Sequence, residues 1–217
     1  MTWLTPAELA HATKPSPLTI IKRKLINLTA PLWRWYRSNR RNIQISSSFL
    51  TLSTADSEQI GLGAPTTTNE DGLHAWILSP SELKAFLLRF HTLPGASENA
   101  VRTIQTADGN QASSTTVGLN VDPHPSSRPV FQVNLLPRAA SHSVKLLFSA
   151  IWTEIADPAG TNYITVKTNF TATCAAVVPN NGGLVLEGGK PNNANAQTCW
   201  LILSPMMLDA NGNPIKP

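Results

Sequence analysis

The sequence predicts an α+β fold that is mainly β. Antiparallel hairpins and long strands are expected around one short packed helix, with a basic helical arm in front. Three observations predict it. Residues 163–178 alternate: Ile164, Val166, Phe170, Ala172, Cys174, Ala176 and Val178 share one parity, while Thr165, Lys167, Asn169, Thr171 and Thr173 share the other. That period of two is a strand with one buried face. Charged residues are only 14% of the 217-residue chain, and abundant Thr, Ser, Asn and Pro favour strands and turns over long helices. One segment carries a full set of helix signals: Ser79 as cap, Pro80 in the first turn and Glu82 completing a capping box.

Charge divides the chain. Residues 1–41 hold eight Lys/Arg and one acid, a net of +7, and residues 42–217 carry −3. The expected organisation is therefore a basic amphipathic arm, 1–41, and a β-rich domain, 42–217. Within the arm Leu18, Ile21, Leu25, Leu28, Leu32 and Trp35 recur at helical spacing, and Pro31 ends or kinks that helix. Lys22, Arg23, Lys24, Trp33, Arg34, Trp35, Arg37, Arg40 and Arg41 are the candidate binding residues. Basic, aromatic and amphipathic together suit an anionic membrane surface. The same mixture suits phosphates and stacked bases, but no helix-turn-helix, zinc-finger or RNA-binding signature supports nucleic acid. A helix packed on the domain or on a partner is the plainer alternative. No run of about eighteen apolar residues predicts a membrane helix, and the N-terminus shows no signal-peptide pattern.

The domain opens with a strand from Asn42 to Ser53. Ile43, Ile45 and Phe49 share one parity, Leu50 and Leu52 the other, which suggests a bulge near Phe49. Residues 54–71 read as a loop. Gly61-Leu62-Gly63 within it is too short for a dinucleotide site. Leu83, Phe86, Leu87 and Phe90 form the apolar stripe of the capped helix, which Leu93-Pro94-Gly95 stops. Asp108-Gly109 between two β-prone runs predicts a hairpin over 100–117. A Pro-rich loop covers 122–129, Phe131 to Leu135 alternates, and a turn follows at 137–143. Residues 144–154 carry apolar side chains on both parities, as a central strand or a subunit contact would. The long strand comes next, with a break expected at Thr168. Pro179-Asn180-Asn181-Gly182-Gly183 then turns the chain into 184–187.

Those last segments carry a resemblance. The run from Val178 and Pro179 through Gly182 and Gly183 to Gly188 and Gly189 is similar to the "VPdGgtvvlgG" hairpin of the bacterial secretin homology domain. Trp200-Leu201-Ile202-Leu203-Ser204-Pro205 with Met206 to Asp209 resembles that family's closing "LlifvtPrivd". The turn from Thr106 to Ala112 resembles its "tldgqqA". Secretins are multimeric gates of the outer membrane. The resemblance implies a secretin-like core, a homo-oligomer, other envelope proteins as partners, and a place in the bacterial cell envelope. It also implies a structural, non-enzymatic role. The family's longer insertion, with its amphipathic lip, is replaced by eight residues from Lys190 to Gln197, polar apart from two alanines. The expectation is thus a secretin-like ring component, or alternatively a soluble or tethered binding module that keeps the core without a pore.

No catalytic signature is visible. His11, His74, His91, His124 and His142 are scattered, and no metal-ligand spacing occurs. No catalytic residue, metal or cofactor is expected. Glu187 reads as an exposed strand-end charge. Cys174 and Cys199 lie in adjacent strand candidates. A disulfide would require those strands to pair, and two buried thiols are the simpler expectation.

Overall fold

The structure, a computed structural model, describes residues 41–68, 73–117, 127–156, 165–188 and 197–215. Lys22, Arg23, Lys24, Trp33, Arg34, Trp35, Arg37, Arg40, Gly189 and the 190–196 segment lie outside the described residues. The elements run β1 (Asn42–Ser53), α1 (Thr54–Gln59), β2 (Thr67–Thr68), β3 (His74–Leu78), α2 (Pro80–Thr92), β4 (Ser97–Ala107), β5 (Ala112–Val117), β6 (Ser127–Ala139), β7 (Ser143–Ala156), β8 (Thr165–Pro179), β9 (Gly183–Gly188) and β10 (Gln197–Leu208). Two antiparallel sheets result, in the orders β2-β3-β9-β10-β1-β4 and β5-β6-β7-β8. The mainly-β fold class is as expected. Among the described residues no helix is long and apolar enough to cross a membrane.

Two apolar layers hold the domain together. Ile43, Ile45, Leu186, Leu201 and Leu203 of the six-stranded sheet face Phe131, Val133, Leu146, Phe148 and Phe170 of the four-stranded one. On the other side of the six-stranded sheet, Leu83, Phe86 and Phe90 of α2 pack on Leu50, Leu52, Trp76, Leu78, Val185, Trp200 and Ile202. The stripe expected on α2 is therefore core, and its capping box is present in both halves. Ser79 N–H donates to Glu82 Oε2 at 2.8 Å. That bond, and the Ser79 hydroxyl, hold the Glu82 carboxyl below its ordinary range.

β1 explains its own two parities. Its alternation is unbroken: Phe49 belongs to the layer between the sheets, and Leu50 and Leu52 to the layer under α2. The irregularity does fall between Phe49 and Leu50, but the extra residue, Asn99, is on the partner β4. In β8 the break also falls close to its expected place. Phe170 aligns with Trp152 and Thr168 with Thr153, so Asn169 is the bulged residue. The bulge flips parity, so Val166, expected on the buried face, is 60% exposed.

Three other expectations are corrected. Residues 54–59 are a helix, capped by Ser53, whose hydroxyl accepts from Asp56 N–H at 3.1 Å. β6 reaches from Ser127 to Ala139 and so takes in Pro129 and Pro137, expected in a loop and a turn. It tolerates both because β5 pairs only with Val130 through Leu135, leaving the prolines where the strand has β7 alone as neighbour. The two expected hairpins at Asp108-Gly109 and at 179–183 are neither of them hairpins. β4 and β5 belong to different sheets, as do β8 and β9, so each turn carries the chain from one sheet to the other. Cys174 and Cys199 consequently lie in different sheets, and both are free thiols.

Candidate functional site

Val178, Pro179, Gly182 and Gly183 lie at one sheet-crossing turn, and Gly188 at the other end of β9. Pro179 to Gly182 closes a turn, with Gly182 N–H donating to Pro179 O at 2.9 Å and Asn181 at φ 63°. Positive φ at the third position is what a type II turn requires, and Asn adopts it more readily than most residues. Asn180 is 1% exposed. Its side chain donates to Ile215 O at 2.7 Å and accepts from Met207 N–H at 2.8 Å. Gly182 lies against backbone: a Cβ there would collide with Leu78 O. At Gly183 a Cβ would meet Leu83 Cδ1 at 2.7 Å, and at Gly188 Leu73 Cδ1 at 2.7 Å. Val178 is fully buried. Asn180 therefore ties the turn to β10 and to Ile215, while the glycines leave room for the neighbours that press on their backbone. Arg41, the described member of the arm set, is exposed and donates to Ala140 O at 2.9 Å.

Next to this turn lies an edge of the four-stranded sheet, on which no further strand pairs among the described residues. β8 pairs with β7 along its whole length and ends its sheet. Lys167 and the Asn169 bulge interrupt only its first residues. From Phe170 to Val178 it carries neither charge nor proline. The outward face of this sheet mixes exposed Leu147, Ile151 and Val177 with Gln132, Thr171 and Thr173. Its charges are basic, Arg128, Arg138 and Lys145. Glu154, the one acid in these strands, has the inward parity.

A second constellation was not foreseen. Beside the 61–63 loop a cleft of about 250 Å³ is lined by Ser57, Glu58, Trp76, Glu187 and Trp200 among others. Ser57 Oγ donates to Glu187 Oε1 at 2.7 Å, and His74 Nδ1 stands 3.5 Å from Glu187 Oε2. Glu187 is thus not the lone strand-end charge expected. Register explains the meeting: His74 on β3 and Trp200 on β10 flank Glu187 on β9 directly. The serine hydroxyl is bound to the carboxylate and not to the imidazole, so the three do not follow the order of a nucleophilic relay. Trp76 and Trp200 stack with centroids 5.7 Å apart. Trp76 Nε1–H donates to Gly63 O at 3.2 Å, while the buried Trp200 N–H has no partner among the described residues. Among the described residues no group of three His, Cys, Asp or Glu side chains could hold a metal ion.

No protein-family model matches this sequence, and no curated protein matches it.

Proposed function

We propose that this chain is a non-enzymatic, oligomer-forming structural protein of the bacterial cell envelope, resembling a secretin but without that family's membrane-facing lip. The observation that carries the reading is the open edge of β8. Fifteen residues at about 3.3 Å each make an edge of roughly 50 Å, and its second half lacks the charges, prolines and bulges that normally prevent pairing. β8 of one copy meeting β5 of the next is a head-to-tail contact, and contacts of that kind make a ring where the rotation between copies closes. The arm's cations suit attachment of such a ring to an anionic membrane surface or to another envelope protein.

Light scattering after size exclusion tests the reading on the full chain. The expected result is a particle of many copies that falls to a monomer in the double variant Thr171→Lys, Thr173→Lys. Both residues are exposed on β8, so the variant keeps its fold, which circular dichroism checks. A monomeric parent chain, with and without residues 1–41, overturns the ring and leaves a tethered binding module.

A further inference from the structure

We propose that the cleft beside the 61–63 loop binds a ligand through a cationic ammonium group, independently of assembly. Among the described residues, the charged side chains lining it are those of Glu58 and Glu187. Arg89 is not among the lining residues, and its guanidinium donates to Ile60 O at 3.3 Å. Asp56 is likewise absent from the lining, and its carboxylate is engaged by Ser53 Oγ at 2.7 Å and Gly95 N–H at 3.1 Å. Among the described lining residues the cleft therefore offers a cation two carboxylates, and it offers an anion no cationic side chain, only the Trp200 indole N–H.

The rest of the lining selects the kind of cation. Trp76 and Trp200 line the cleft and stack on each other, both nearly buried, and an aromatic ring attracts an ammonium within about 6 Å of its centroid. Glu187 is 23% exposed, and partial removal from water strengthens its pull. Its orientation is fixed before any ligand arrives, by Ser57 on one oxygen and His74 beside the other. A cleft of about 250 Å³ lies just below the usual range of small-molecule sites, roughly 300–1,000 Å³. It suits a compact amine, either free or at the tip of a protein's lysine side chain.

The test follows the indole N–H resonances of Trp76 and Trp200 in the isotope-labelled full chain. Tetramethylammonium and an end-blocked lysine tripeptide represent the two sources of the amine. tert-Butanol and acetate are the neutral and anionic controls. Saturable shifts with either cation, absent with both controls, are expected. The tighter of the two cations identifies the source. Glu187→Gln should weaken binding about tenfold and Glu58→Gln about two- to threefold. Glu58 is exposed, so its variant removes charge without disturbing the Ser57 and His74 contacts. Equal shifts with tert-butanol, no shift with either cation, or unchanged affinity in both folded variants would each overturn the site.

Discussion

Gly182 and Gly183 are neighbours with different reasons to be glycine, and the difference is measurable. The atom facing Gly182 is the Leu78 carbonyl oxygen, part of β3, which cannot swing aside. The atom facing Gly183 is the end of the Leu83 side chain, which can turn. Gly182→Ala should lower stability by about 1–3 kcal/mol, and Gly183→Ala by less than about 1 kcal/mol. Urea unfolding of the two variants would show it, and equal losses would contradict the packing described. Cys199 makes a second prediction. Burial pushes its thiol up to about 12, with Glu154 adding to the rise and Lys167 opposing it. The unfolded chain releases this proton near pH 9, the ordinary value for a thiol, and the folded chain holds it until about pH 12. Stability is therefore lost as pH rises across that window, at up to about 1.4 kcal/mol per pH unit from this group. Cys199→Ala should flatten the alkaline limb relative to the parent chain. A thiol reagent at pH 8 should leave Cys199 unlabelled until unfolding.

At the scale of elements, the capping box gives the plainest test. Ser79→Ala removes the hydroxyl that accepts from Glu82 N–H and should cost about 1 kcal/mol, read from the thermal midpoint. That helix was fully legible in the sequence, because its cap, its first-turn proline and its stripe are local features. Most strands and the positions of both register breaks were legible for the same reason, but β3 was not read as a strand and β2 lies in the stretch read as a loop. Partner choice was not legible. Asp108-Gly109 and the Asn180-Asn181 turn encode a reversal of direction, and a reversal serves equally well within a sheet or between two. The small α1 was hidden because it has no apolar stripe and only Asp56 is buried from it. The cleft was hidden because Ser57 and Glu187 stand 130 positions apart and meet only through sheet order. Glu187 itself was seen, but a sequence cannot show that β3 and β10 flank it.

At the scale of the molecule, the outward face of the four-stranded sheet bears on membranes. A lipid-exposed barrel needs an apolar band about 25 Å tall with aromatic girdles. This face interrupts Leu147, Ile151 and Val177 with Gln132, Asn134, Ser149, Thr171 and Thr173, and it carries Arg138 and Lys145. The eight residues from Lys190 to Gln197 add no aromatic. Planar-bilayer recording of the purified chain should therefore show no stable conductance steps. Large steps that vanish on deletion of residues 163–187 would contradict this and favour a complete pore.

The position of β10 has a bearing on how the molecule is made. It lies between β9 and β1 and pairs with β1 from Asn42–Leu208 through to Ser53–Gln197. The four-stranded sheet is continuous in sequence and can form as a meander while synthesis is still under way. The six-stranded sheet cannot: β1 waits with one side open until the last strand emerges and slots in beside it. Contacts so distant in sequence slow folding, and an open strand awaiting its neighbour is exposed to the wrong one. Nascent chains arrested before residue 197 should therefore bind holdase chaperones and lose that affinity once β10 clears the ribosome.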